Sequence, residues 1–502
     1  MAYRLTPFAP LGLDEPLLTL LLDQHHASTL PRLDKLWTYF RNPLTPASRA
    51  SARGWYRQGQ EIGLPPRVLG DPALALDDRA VLRREVVIEN DIAWRIQAMV
   101  DFIFGKPLTI VSTAATESKR RLIERILDRV WEQSGGVALL QDMALLAHVF
   151  GHVDLVVRAA SHHAAPVDPS DPHALDKLLP ILDDIRVELI DPRRGVPLTS
   201  PRDYRDLSAY LINVEHATNT VEPTTTSPLS IIRRAWQGAT QSPGERRRAS
   251  TLEVISADRR QLYHDGRLVL DEDLGWSQGR IPVVHIQNIA QPFHYSGLSD
   301  VEPLIPLQDE LNTRLSDRAC RVTMQSFKMY LAKGLEGFDT APVAPGQLWT
   351  TDNPDASISE FGGDASCPSE DAHIEGVREA FDKVSGIPPL AGGVVRAKVG
   401  NLSSANALRI TLMGVLAKTQ RKRVTYGRGI AQASALILAA LDHAGALSTT
   451  EEERAVRLEW SDPLPEDITR QVQAAQGKVD LGVPRERVLA ELGYAPGDPG
   501  IG

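Results

Sequence analysis

Between Glu370 and Leu441 the chain sets two helical patterns on either side of a loop, an order that few folds accommodate. Glu370 to Ser385 is an amphipathic helical pattern rich in carboxylates. Gly386-Ile387-Pro388-Pro389 stops it, because proline has no N–H to donate and restricts the residue before it. A loop of small residues follows, carries Arg396 and Lys398, and ends at Gly400-Asn401-Leu402-Ser403-Ser404. From Ser403, which can cap, a helical pattern continues for roughly 40 residues. Two helices facing each other across a glycine-marked basic loop are a mechanical arrangement and a poor catalytic pocket.

Composition leaves room for more around this core. At 502 residues the chain can hold roughly two to four domains. Its 42% hydrophobic and 24% charged residues are ordinary for a globular protein, so burial is not limiting. Many of the 35 prolines sit in connections, which favours an extended, multi-part chain. Cys320 and Cys367 are too few for a disulfide framework and lack CxxC spacing, so they read as free thiols in a reducing compartment. Met1 to Leu22 lacks the charged, apolar and small-residue segments of a signal peptide. The longest apolar stretch, Ile430 to Leu441, is interrupted by Gln432 and Ser434 and is shorter than the roughly 18–20 residues a membrane span needs. The expectation is a protein made in the cytosol, with no membrane partner.

Helical spacing predicts helices over Glu89–Phe104, Glu117–Gln133 and Val137–Val149, the first ended by Gly105-Lys106-Pro107. Strand signals cover 108–112, 152–158, 185–190, 209–214, 251–256, 261–264 and 283–287. The polar stretches 160–172 and 218–228 read as surface loops, and Arg246, Arg247 and Arg248 as a basic hairpin tip. Helix returns from Ser299 to about Ser326, followed by a proline-rich insert with strands at 328–332 and 347–350. The long helix is expected at 403–443, with Gly414, Gly427 and Gly429 as points where it can bend. A strand at 455–460 and helices near 466–480 and 484–492 close the chain.

Catalytic signatures are missing. The sequence has no G-x-x-x-x-G-K-[ST] loop, no helix-opening G-x-G-x-x-G, no H-E-x-x-H and no G-x-S-x-G. The pairs His25-His26, His162-His163 and His148/His152 have no Asp, Glu or Cys at ligand spacing and read as ordinary histidines. Asp183, Asp184, Asp191 and Asp300 read as solvated caps and turns.

Charge carries more meaning. Glu370, Asp371, Glu375, Glu379 and Asp382 outweigh Arg378 and Lys383 on one helix. Either they form a solvated face favoured by the helix dipole, or they form a wall that repels phosphates. Arg409, Lys418, Arg421, Lys422, Arg423 and Arg428 read as a basic outer face of the long helix. The net charge of −9 argues against a protein built to grip nucleic acid, since tight binding neutralises phosphates with Lys and Arg.

Four stretches, spread over roughly residues 80–495, resemble the portal proteins of long-tailed double-stranded DNA bacteriophages. They are Asn90-Asp91-Ile92-Ala93 through Gly105-Lys106-Pro107, Gly297-Leu298-Ser299-Asp300 through Glu310-Leu311-Asn312, Gly386-Ile387-Pro388 with Gly400 through Leu408, and Trp460-Ser461-Asp462-Pro463-Leu464-Pro465-Glu466-Asp467. Each is weak alone, and their order and spacing together are specific. Ser403-Ser404 stands where the family often has Ser-Gly, and the tail after Asp467 is short.

The resemblance implies an α+β portal fold: a wing (1–297 and 403–465), stem helices (298–326 and 368–386), a clip (327–367), a tunnel loop (387–402) and a small crown (466–502). It implies a homo-oligomeric ring, usually a dodecamer, at one capsid vertex of the virion, and no catalysis, cofactor or metal. Double-stranded DNA would pass through it. Terminase, then head-completion or adaptor proteins, with major capsid and scaffolding proteins, would be its partners. The expected DNA-facing loop residues are Val394, Val395, Arg396 and Lys398. The expected stem channel wall is Glu375, Glu379 and Asp382, and Trp349, Asp352 and Glu360 would meet partners at the clip. Two rival readings are another structural virion protein, such as a minor head or adaptor protein, and an enzyme with a helical lid. The lid enzyme lacks a nucleophile, base or metal set.

Overall fold

The computed structural model describes residues 3–42, 87–160, 163–200, 202–203, 206–217, 248–326, 329–334, 352–361, 367–393, 405–464, 468–483, 485 and 488. The chain divides into two compact units: 1–33, 96–299 and 389–502 form the first, 34–95 and 300–388 the second. The architecture mixes helices with antiparallel sheets, as the α+β reading expects.

The first unit holds two sheets of three and five strands. The smaller has the order β3 (Arg186–Ile190), β2 (His152–Arg158), β9 (Val283–Gln287). Its central strand β2 is buried along almost its whole length, which is why it reads as a continuous apolar run and not as an alternation. The larger is a meander of β4 (Gly195–Thr199), β5 (Leu207–Ala217), β6 (Arg248–Ile255), β7 (Arg259–His264) and β8 (Arg267–Asp273). Phe8, Leu13 and Leu18, the last from helix α1 (Glu15–Gln24), share a core with Leu211, Val254 and Tyr263 of that meander. β1 (Leu108–Ser112) pairs antiparallel with β12 (Val456–Trp460), tying early to late sequence.

Helix α2 (Leu30–Arg41) and helix α3 (Asp91–Phe104) follow α1 in the chain. The other helices of the first unit are α4 (Glu117–Gln133), α5 (Gly136–Phe150) and α6 (Ala174–Leu182). Gly151 ends α5 at φ +90°, where a Cβ would lie 2.4 Å from the Gly297 carbonyl oxygen. Only glycine fits that crossing of two backbones.

The second unit contains α7 (Ile305–Ser326), the hairpin β10 (Met329–Lys333) and β11 (Ser357–Phe361), and α8 (Pro368–Ser385). The first unit resumes with α9 (Ala405–Thr411), α10 (Met413–His443) and, after β12, α11 (Ile468–Asp480). α10 is long and apolar enough to cross a membrane, yet Ile430, Ala433, Ile437, Leu438 and Leu441 are fully buried within the fold. It is the core helix of its unit.

Several sequence expectations need correction. The continuous helix from 403 is two helices, with the break at Leu412 beside Gly414. Gly427 and Gly429 do not interrupt α10, which runs through both. Gly429 is a packing position: a Cβ there would sit 2.3 Å from Ile286 Cγ1, so its absence lets α10 lie on β9. Strands β4 and β8 were not expected. Gly195 and Pro197 read as breakers, yet an edge strand tolerates proline. β8 alternates exposed and half-buried residues and reads as a polar turn. The helix predicted from Ser299 opens only at Ile305, after a 3-10 turn containing Pro303. The strand expected at 347–350 lies outside the described residues; β11 is the partner of β10 instead.

Candidate functional site

The helix pair α7–α8 and the segment after it are the candidate site. α8 begins at Pro368, with Glu370 and Asp371 in its first turn, where carboxylates oppose the helix dipole favourably. It ends at Gly386, whose φ of +68° lets its N–H reach the Asp382 carbonyl at 2.9 Å. Ile374, Val377, Phe381 and Ser385 recur at helical spacing and form its buried stripe. Ile305, Leu311 and Leu315 are buried apolar positions of α7, which packs against α8.

Ion pairs hold the two helices together on their outer surface. Arg318 meets Asp371 at 3.2 Å, Arg321 meets Glu370, and His373 meets Glu310 at 3.1 Å. The Arg318–Asp371 pair is well exposed and contributes at most about 1 kcal/mol, whereas Arg321 and Glu370 are more deeply set. Their joint effect is register, because they fix which turn of α7 faces which turn of α8.

One pair is of another kind. Arg95 is 2% exposed, lies 4.9 Å above the Phe381 ring, and donates to Asp382 at 2.6 Å and to the Asp91 carbonyl at 2.8 Å. Removing one member of such a pair leaves a buried charge without compensation. Arg378 likewise bridges Glu375 at 2.9 Å and Glu89 at 2.6 Å.

A polar ladder completes the block. Gln308, Asn312 and Ser316 are fully buried on α7, one turn apart. Gln308 accepts from the Asp91 N–H at 3.2 Å, Asn312 from the Glu89 N–H at 3.1 Å, and Ser316 from the Val87 N–H at 3.0 Å. Gln308 also donates to the Glu89 carbonyl at 2.5 Å. Four residues of helix rise about 6 Å and two residues of extended chain about 6.6–6.8 Å, so the side chains match every second amide of 87–91. The helix presents to that segment what a neighbouring strand would otherwise offer.

Of the predicted site residues, Glu375, Glu379, Asp382, Asp352 and Glu360 fall among the described residues. Glu375 and Glu379 are exposed on α8. Asp382 is half-buried and its charge is met by Arg95. Val394, Val395, Arg396 and Lys398 lie outside the described residues, which pause after Gly393 and resume at Ala405. Trp349 is also outside them. Asp352 is exposed, and Glu360 stands opposite Tyr330 in the β10–β11 register. That hairpin presents Leu331 and Ile358 to solvent.

The basic outer face expected of the long helix is corrected. Arg421 and Arg428 are exposed, and Arg409 pairs with Asp462 at 2.6 Å. Lys422, however, is fully buried and donates to Asn288 at 2.9 Å. Arg423 is buried, lies 5.0 Å above the Trp460 ring and donates to the Ser461 carbonyl at 2.9 Å; burial lowers its pKa from the usual range. Both serve the interior, because long side chains can carry a charge inward to carbonyl and amide acceptors.

Sequence reading also missed a buried cluster in the first unit. Asp154 accepts from Tyr210 at 2.7 Å and Tyr295 at 2.8 Å, and His285 Nδ1 lies 2.7 Å away. Burial alone would raise the Asp154 carboxyl, but His285 beside it, with His152 and Tyr210, holds it below the usual range. His152 is pushed down to about 4, chiefly by burial. The only trace in sequence was a charged residue inside an apolar strand pattern.

These arrangements position helices and hold charge; the described residues of the helix pair assemble no nucleophile–base pair. Residues 22–493 match the family described as phage portal protein, SPP1 Gp6-like. Among solved structures, the chain resembles a subunit from the neck of a native GTA particle computed with C12 symmetry, at 14% identity and TM-score 0.40. It also resembles one from the neck of an empty GTA particle with C6 symmetry, at 12% and 0.43. A third is from the virion of a native gene transfer agent particle, at 13% and 0.41. Each likeness covers 80% of this chain and 89% of the other. No curated protein matches it by sequence. With the family match spanning nearly the whole sequence, the chain belongs to the phage portal protein family.

Proposed function

We propose that copies of this chain close into a ring, in the family's usual number a dodecamer, at one capsid vertex of the virion. Double-stranded DNA enters the head through this ring during packaging and leaves through it at ejection. α7 and α8 form the stem, the β10–β11 hairpin and the residues around it the clip, and 387–402 the tunnel loop between stem and wing. Terminase docks at the clip during packaging, and head-completion or adaptor proteins replace it there. Major capsid and scaffolding proteins surround the wing. The role is structural.

The observation that carries this reading is the way α7 and α8 are held. A channel wall carries mechanical load while phosphates pass, and it must not bind them, since each phosphate contact slows movement. Arg95 meets Asp382, Arg318 meets Asp371, Arg321 meets Glu370 and Arg378 meets Glu375, which leaves a stiff pair whose exposed acids are Glu379 and the Arg378-bridged Glu375. Exposed carboxylates at the lumen repel the backbone of DNA. Arg396 and Lys398 are then the cations of the constriction.

Negative-stain images of the purified protein test the proposal. Rings with a central hole are expected; monomers or compact dimers at assembly concentrations would contradict it.

A further inference from the structure

Four strands form the edges of the two larger sheets, and three of them are protected. β3 carries Arg186 and Glu188, β4 carries Pro197, and β8 carries Arg267, Asp271, Glu272 and Asp273. Charges and proline are the usual means by which an edge refuses further pairing. β9, the remaining edge, reads Val283-Val284-His285-Ile286-Gln287, with no proline and no acid, lysine or arginine.

Register shows which groups face outward. The Val157 N–H donates to the Pro282 carbonyl and the Asn288 N–H to the Gly151 carbonyl, both at 2.9 Å. In an antiparallel pair, direction alternates residue by residue. Val284 and Ile286 therefore point their backbone groups at β2, and Val283, His285 and Gln287 point theirs away from it. No backbone hydrogen bond to those three outward groups occurs among the described residues. Val283 is 5% exposed, and a buried amide without a partner is costly.

All five residues of β9 line a cavity of about 460 Å³, whose opposite wall is α10. At its margin stand Asp206 and two exposed arginines: Arg280, which is paired with Glu451, and Arg428. An open edge beside a groove is the geometry that accepts an added strand.

We propose that β9 is completed by an extended segment of the neighbouring copy in the ring, which pairs with the outward groups of Val283, His285 and Gln287 and places a carboxylate at Arg428. This rests on the ring reading. The contact is heterologous: β9 pairing with β9 of a second copy would be isologous and would close a dimer, whereas a ring joins two different surfaces. A chain of net charge −9 has acids to offer, and Arg428 at the groove margin is the cation that would receive one.

Hydrogen–deuterium exchange over residues 281–288, measured on assembled rings and on dissociated monomer, tests the proposal. The outward amides of the half-buried His285 and Gln287 should exchange freely in the monomer and at least an order of magnitude more slowly in the ring. Val283→Pro removes one outward donor and spares the hydrogen bonds to β2; because the Val283 side chain is buried, Val283→Ala is its control, and the proline should weaken ring assembly well beyond the alanine. Arg428→Glu, at an exposed position, should weaken assembly in the same way. Rings that form with the edge still exchanging freely would overturn the proposal and spare the ring reading. Protection already complete in the monomer would overturn it too, since the chain would then cover its own edge. Absence of rings altogether would remove both.

Discussion

The α7–α8 pair and the α10 core helix solve one problem, holding a long helix in place, by opposite means. Along 429–441 α10 is held by volume, through fully buried aliphatic residues and a glycine that admits Ile286, while Lys422 and Arg423 anchor its earlier turns to Asn288 and the Ser461 carbonyl. α7 and α8 have an apolar seam too, but their register is set by polar chemistry, through a buried arginine, a ladder of amides and a row of ion pairs. Dispersion and burial are tolerant of direction, whereas hydrogen bonds are not. A helix pair that must keep its register therefore gains from a continuous row of polar contacts, whereas the apolar half of the core helix is held without one.

The sharpest way to break this comparison is at Arg95. Arg95→Ala should destabilise the second unit by roughly 3–5 kcal/mol, because Asp382 loses its partner within the fold. Urea unfolding followed by fluorescence measures it. The double substitution Arg95→Met with Asp382→Leu should recover most of the loss, and failure to recover would mean that the pair does more than compensate charge.

The Asp154 cluster is a buried polar group in the core of the first unit, and pH probes it. His152 is held neutral with its pKa near 4 in the folded chain, against an ordinary value of 6.5. The unfolded chain binds the proton more readily, so stability is full above about pH 6.5 and falls as pH drops toward 4. The loss should be about 3 kcal/mol. Denaturant midpoints at pH 7 and pH 4.5 check the sign, and His152→Gln should flatten the slope.

A volume change sharpens the other side. Gly429→Ala pushes a methyl group into Ile286 and should cost about 1–3 kcal/mol in thermal unfolding, eased by Ile286→Val. The smallest effect belongs to the exposed pairs. Asp371→Ala should change stability by about 0–1 kcal/mol, since Asp371 is 60% exposed and Arg318 38%. A large loss there would mean that the outer row does more than set register.

Legibility in the sequence follows the same division. α4, α5, α8 and the strands β1, β2 and β9 could be placed closely because apolar periodicity and stops mark them. Gln308, Asn312 and Ser316 could not, because an amide at helical spacing carries no sign of the backbone it will meet. Lys422 and Arg423 were misread as surface for a related reason: charge predicts exposure until the fold supplies an inward acceptor. The acids of α8 were visible as a set, but which of them are compensated depended on Arg95 and Glu89, nearly three hundred residues away in sequence. Family membership was legible because motif order survives where single motifs are weak.

The most direct test of a channel whose stem is stiff and whose lumen is acidic is a side-chain-resolution reconstruction of the assembled protein by electron cryo-microscopy. The account predicts a closed ring with Glu375 and Glu379 facing the central opening, and Arg95 still on Asp382. A ring with those two carboxylates turned outward, or an assembly with no opening, would contradict it.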